Sequence, residues 1–328
     1  MTPAPSQTLE SLLAGYRLCA RSEGKSPASI TIVTRSVQYL EHYLVKTGAD
    51  TRVGAITTQH LRAFILSLRE RRAWAEHPFT RSQDRGLTID TIHTYLRSVR
   101  IFFSWLVSEE IIAENPFHRV KLPRLPYKII PAFTDTQLKT LFSSIDTTRP
   151  SGFRDHTMIL MMLDTGLRIS EVVGLKLSNV YIEDRLVRVT GKGNKQRVVP
   201  LGQYLARQLW RYMVQSRPEP ALPTLDQVFL SRNGTRMTKD TVRGRMLYYG
   251  RKAGITGVRI SPHTLRHTAA ISYLRNGGDV FSLQRLLGHS TLEMTRRYCQ
   301  VADTDVQKVH RTASPVDNLR LGIGDGSH

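Results

Sequence analysis

Cysteine is nearly missing from this chain: two among 328 residues, Cys19 and Cys299. That excludes a disulfide framework and a four-cysteine zinc site. No apolar run approaches the roughly 18 residues of a membrane span. Residues 1–5 have neither a basic nor an apolar segment, so no signal peptide is expected. A reducing, cytoplasmic setting and no membrane partner are the expectation. The chain has no Gly-Lys-Ser/Thr phosphate loop and no acidic metal cluster, so no cofactor is expected. Acids are scarce, with 27 Asp+Glu against 47 Lys+Arg and a net charge of +20. Such an excess points to a polyanion, and nucleic acid is the usual one. Hydrophobic residues make up 40%, enough to build cores and to exclude a disordered polycation. The length favours two domains.

Residues 1–112 show helical periodicity and no strand pattern. A helix over 6–22 is expected, capped by Ser6, with Leu9, Leu12, Leu13 and Tyr16 on one stripe. Ser26-Pro27 opens a second, carrying Ile30, Val33, Val37, Leu40 and Leu44. Thr57 opens a third, and a fourth runs over 89–109. The intervening stretch 72–86 reads as a long loop. Arg35, Arg62, Arg69, Arg71, Arg97 and Arg100 recur along these helices and, as a set, suggest a phosphate-facing side. Residues 113–131 form a linker. Its clearest part, 117–131, holds three prolines and the cations Arg119, Lys121, Arg124 and Lys128, with no acid. Prolines keep it extended, which suits a stiff spacer or a strand lying along a nucleic-acid backbone.

A second domain, 132–310, begins at the capping box Thr134-Asp-Thr-Gln137. A buried helix over 152–165 ends at Gly166, which places Arg168 at a joint between helices. Two short strands follow over 180–189. Gly191-Lys192-Gly193-Asn194 is a tight turn, and 196–201 is the returning strand, which puts Lys192 at a hairpin tip. A helix is expected over 204–215. Residues 232–252 hold seven Lys and Arg (among them Arg232, Arg236, Lys239, Arg243 and Arg245) against one acid, Asp240. Ser261-Pro262 starts a helix, with Leu265, Ala269, Ala270, Ile271 and Leu274 covering its inner side. A short helix over 280–287 ends at Gly288-His289, and a helix or turn over 292–301 holds Tyr298. Residues 311–328 are a polar tail. The fold class expected is mainly α with a small β-hairpin sheet.

His263 and Arg266 stand three apart at the start of one helix and make a place for a phosphate. Arg168 and Arg266 can clamp two non-bridging oxygens of a phosphodiester, since guanidinium offers a planar fork of donors. His263 and His289 add hydrogen bonds, and Lys192 suits a general acid for the departing 5′ oxygen. Tyr298 is the candidate nucleophile. Its phenol, with an ordinary pKa of about 10, needs nearby cations or a base such as His263 to lose its proton. His263 and His267 have zinc-like spacing, but no third ligand follows.

The motifs Thr165-Gly-Leu-Arg168-Ile-Ser-Glu171, Gly191-Lys192-Gly-Asn-Lys, His263-Thr-Leu-Arg266-His, Leu287-Gly-His289-Ser and Tyr298 together resemble the tyrosine recombinases, the phage-integrase family, and Xer-type members most. The resemblance implies a helical SAM-like core-binding domain over 1–112 and a mixed α/β catalytic domain. It implies Arg168, Lys192, His263, Arg266, His289 and Tyr298 as catalytic residues, with Lys192 rather than Lys195 as the hairpin lysine. It implies a 3′-phosphotyrosyl link, a Holliday junction, and a homotetramer on two double-stranded DNA sites that can exchange C-terminal tails between subunits. A type IB topoisomerase, or a DNA-binding protein without chemistry, is the alternative.

Overall fold

The Thr8 hydroxyl accepts from Ser11 N–H and starts α1 (Leu9–Ser22). Thr8 and not the expected Ser6, which lies outside the described residues, caps this helix. The computed structural model describes residues 7–72, 84, 86–125, 131–191, 194–289, 291, 292, 295, 298 and 314. Ser26 caps α2 (Pro27–Lys46), Thr57 caps α3 (Thr58–Glu70) with a capping box, and Thr88 caps α4 (Ile89–Ser108). Each hydroxyl satisfies one orphan N–H of a first turn, which fixes where the helix begins.

The apolar stripes of these four helices meet in one core. Tyr16, Phe64, Phe102, Phe103 and Phe117 are its largest fully buried side chains. Tyr16 meets Phe102 and Trp105 edge-on, with ring centroids 5.7 and 5.5 Å apart. Each such aromatic contributes about 1.5–3 kcal/mol by leaving water. Most of the 72–86 loop lies outside the described residues. Its ends are pinned by an Arg72–Gly86 bridge and by Leu87 N–H donating to Arg71 O at 3.1 Å.

The chain divides into two compact units, Met1–Lys128 and Ile129–His328. The second contains α5 (Asp135–Ser143), α6 (Pro150–Thr165), α7 (Ile169–Val173), β1 (Val180–Tyr181), β2 (Leu186–Thr190), β3 (Gln196–Pro200), α8 (Gln203–Arg211), α9 (Lys239–Lys252), α10 (Pro262–Arg275) and α11 (Val280–Leu287). The three strands form one antiparallel sheet in the order β1-β2-β3, with Val187 opposite both Val180 and Val199. Val187, Val189 and Val199 point inward, as period-two alternation requires. The helix expected over 204–215 is α-helical only to Arg211. A wider π turn, Tyr212–Ser216, completes it and stacks Tyr212 on Phe229 at 5.2 Å.

Candidate active site

Gly166 ends α6 in the left-handed conformation, at φ 62°. Any side chain there would be strained and would lie 2.6 Å from Leu287 Cδ2. This turn lets Leu167 bury itself and puts Arg168 at the cap of α7. Arg168 N–H donates to Glu171 Oε2 at 2.8 Å, and its Nη1 donates to Glu171 Oε1 at 3.1 Å and to Leu287 O at 3.4 Å.

Ser261 caps α10 by accepting from Thr264 N–H at 3.1 Å. Five residues on, Arg266 is 5% exposed. Its Nη2 donates to Leu287 O at 2.8 Å, and its Nη1 donates to Gly166 O. Two guanidiniums from helices far apart in sequence therefore converge on one carbonyl at the end of α11. Burial, followed by the nearby Arg168 charge, pulls the Arg266 pKa down to about 10, which leaves it charged at neutral pH.

α11 ends at Gly288, again left-handed at φ 63°, and His289 follows. His289 Nε2 lies 3.1 Å from Arg266 Nη2, and Nδ1 lies 3.0 Å from Thr295 Oγ1. Guanidinium has no acceptor, so Nε2 accepts and Nδ1 carries the proton toward Thr295. Tyr298 is 8% exposed and packs with Ile271, Leu274, Leu283 and Leu287. Its ring stacks on His289 at 6.0 Å and meets His267 at 5.3 Å. His263 stands exposed on the first turn of α10. Lys192 lies outside the described residues. Its hairpin is closed by Gly191 N–H donating to Lys195 O at 2.8 Å and by the last pair of the ladder, Thr190 with Gln196.

Three residues of the site carry no role in the sequence reading. Glu171 is 2% exposed at its side chain and lies between Arg168 and Arg197. Burial alone would push its carboxyl up, but the Arg197 hydrogen bonds, the Arg168 amide and both cations hold it below the ordinary range. Arg197 is the second residue of β3, and its signal is an arginine on the inward side of an alternating strand, in phase with Val199. His267, read only as half of a zinc-like pair, packs on the candidate nucleophile. Three arginines (168, 197, 266) and one glutamate leave 3 − 1 = +2, a site built for an anion.

Arg119, Lys121 and Arg124 are exposed, and Lys128 lies outside the described residues. Arg232, Arg236, Lys239 and Arg243 are exposed, and Arg243 pairs with Asp240 at 2.7 Å. Arg245 turns inward instead. Its Nε donates to Asp155 Oδ2 at 2.6 Å, and Asp155 is 1% exposed and also accepts from Arg154 and Tyr249. Arg245 pairs with a buried carboxylate while its own side chain stays 38% exposed. No helix among the described residues is long and apolar enough to cross a membrane.

A tyrosine packed beside two converging guanidiniums suits an enzyme that transfers DNA strands. Residues 131–305 match the Phage integrase family. The chain is 36% identical to tyrosine recombinase XerD of Yersinia pestis over 221 residues, 67% of this chain and 74% of that one. It is 31% identical to tyrosine recombinase XerD of Proteus mirabilis over 294 residues, 89% of each chain. The fold is shared with a Tn1549 transposon integrase solved in complex with a circular intermediate DNA, at a TM-score of 0.72 and 20% identity, covering 94% of this chain and 100% of that one. The chain belongs to the phage integrase family, the tyrosine recombinases.

Proposed function

We propose that this recombinase cuts and rejoins specific double-stranded DNA sites through a covalent 3′-phosphotyrosyl intermediate on Tyr298. The carrying observation is the convergence of Arg168 and Arg266 on Leu287 O, beside the buried Tyr298 ring. The phenol loses its proton to a base such as His263, and Tyr298 Oη then forms a bond to phosphorus. The bond from phosphorus to O5′ breaks, and Lys192 gives that oxygen a proton. Arg168 and Arg266 stabilise the charge that gathers on the two non-bridging oxygens. His289 supports this arrangement through Arg266 and through its stack on Tyr298. A 5′ hydroxyl from a second duplex then attacks the phosphotyrosine, restores the phenol and leaves a Holliday junction after one round. The phosphotyrosine keeps the energy of the broken bond, so rejoining needs no nucleotide.

In this reading residues 1–112 are the core-binding domain, 113–131 the linker, 132–310 the catalytic domain and 311–328 the tail. A groove in the helical unit lined by Arg17, Arg21, Lys25 and Arg35 supports DNA binding there. The exposed Arg119, Lys121, Arg124, Arg232, Arg236, Lys239 and Arg243 extend the basic surface, with Lys128 joining them by its place in the linker. The working assembly is a homotetramer on two sites, acting on DNA in the cytoplasm and exchanging tails between subunits. A lambda integrase tetramer bound to a Holliday junction, 16% identical with a TM-score of 0.67, offers the parallel.

The test is incubation with a nicked suicide site made from the recombination junctions of the host DNA. Wild type forms a covalent adduct that survives denaturation, and Tyr298→Phe forms none. An adduct that persists in Tyr298→Phe would overturn the assignment.

A further inference from the structure

We infer that Arg197 is a positioning residue: it holds the Glu171 carboxylate and the end of α11 so that Arg168 keeps its donors for the scissile phosphate. The inference rests on the proposed function and adds a residue that function does not use.

Arg197 Nη1 and Nη2 donate to Glu171 Oε1 and Oε2 at 2.8 and 3.0 Å, a bidentate pair. Its Nε donates to Leu286 O at 3.0 Å. All three nitrogens of the guanidinium are therefore engaged within the protein, and its side chain is 14% exposed. A Cβ at Gly288 would lie 3.1 Å from Arg197 Cδ, Nε and Cζ, so the arginine passes directly against the turn that carries His289. Arg197 does not present itself to substrate. It ties β3 to α7 and to the end of α11.

Arg168 behaves differently toward the same carboxylate. Among the described residues its side chain donates only from Nη1, once to Glu171 and once to Leu287 O. Nε and Nη2 remain to meet a phosphate. This division depends on Arg197, because a carboxylate at 2% exposure draws whatever cation it can reach. Without Arg197 the only cation hydrogen-bonded to Glu171 is Arg168, and the stable arrangement is a fork-to-fork pair that uses Nε or Nη2 as well. Loss of the Nε bond to Leu286 O also loosens the residue next to Leu287, whose carbonyl aligns both clamps. Arg197 therefore acts through Arg168 and Leu287, not on the phosphate itself.

The experiment measures single-turnover adduct formation on the suicide site for wild type, Arg197→Gln, Glu171→Gln and the double variant, with binding to the intact site measured in parallel. Arg197→Gln slows adduct formation about 100-fold, the scale of a misplaced reacting group, with site affinity unchanged. Glu171→Gln in that background recovers about tenfold, because the charge that captures Arg168 is gone. A purely structural role predicts the opposite, a double variant slower than Arg197→Gln and melting lower. The proposal is overturned by wild-type cleavage in Arg197→Gln or by a double variant with no recovery. It is also overturned if a 5′-bridging phosphorothiolate site, whose leaving group needs no proton, restores the Arg197→Gln rate, since Arg197 would then act through the Lys192 hairpin. If Arg197→Gln melts below the assay temperature, Arg197→Lys carries the same cycle. Wild type without an adduct would sink the proposed function and this inference with it, an outcome the wild-type reaction alone reveals.

Discussion

The two units bury different things. The helical unit encloses Tyr16, Phe64, Phe102, Phe103 and Phe117, and its buried polar side chains among the described residues are Thr34, Ser36 and Ser98. The second unit encloses Arg154, Asp155, Glu171 and Arg266. A charge taken out of water is costly unless it is paired, and a pair seldom stabilises more than an apolar replacement would. The helical unit is therefore held by its core and its helix caps, with no buried charge among the described residues. The second unit carries charges that folding does not require, and it meets their demands with carbonyls and carboxylates at fixed places. One buried set, around Asp155, joins α6 to α9. The other, around Glu171, joins α7 to β3 in the proposed catalytic site. Stability and function are separable in the first unit and interlocked in the second.

The largest effect expected from this contrast is on activity. Arg266→Gln should reduce adduct formation about 100- to 1000-fold, as removal of one preorganised donor does. A loss below tenfold in single-turnover cleavage would mean that the buried charge serves the fold instead. Next come two changes that should cost similar amounts for different reasons. Asp155→Ala leaves Arg154 buried without its carboxylate and should cost about 3–5 kcal/mol. Phe102→Ala opens a cavity in the helical core and should cost about 3–5 kcal/mol. Denaturant unfolding separates them, because Arg154→Met should recover much of the Asp155→Ala loss, whereas no charge change recovers Phe102→Ala. The smallest effect is Ser26→Ala, which removes the cap of α2 and should cost about 1 kcal/mol with cleavage unchanged. A cleavage defect there would break the separation claimed for the first unit.

Much of the fold was legible because its causes are local. Ser26, Thr57, Thr134 and Ser261 cap helices where hydroxyl chemistry and periodicity place them. The apolar residues of α10 are buried as expected, but so are Thr264, Arg266, His267 and Thr268, so this helix is enclosed on more sides than its apolar spacing predicts. Gly166 and Gly288 end helices in the conformation that glycine favours. Four of the candidate site residues lie together, and the contacts that hold them were not legible. Arg168, Arg266, His289 and Tyr298 do come together. Arg197 pairs with an acid 26 positions earlier, and Arg245 with one 90 positions earlier, so no window of sequence contains either partner. Arg245 shares a run of seven cations with its neighbours, and the run gives no sign of its buried partner on α6. Glu171 stands within a motif, yet an acid in so basic a chain is itself a sign that some cation answers its charge.

One acceptor in this site belongs to the main chain. Leu287 O takes both clamps, and no substitution of the leucine side chain removes that oxygen. A scan that trims residues one by one to alanine would report position 287 as a packing residue and miss its alignment of the two arginines. Replacing the peptide link after Leu287 with an ester, by semisynthesis, would weaken that oxygen as an acceptor while leaving every side chain in place. The register of the clamp is written in backbone atoms, where genetic variation has little purchase.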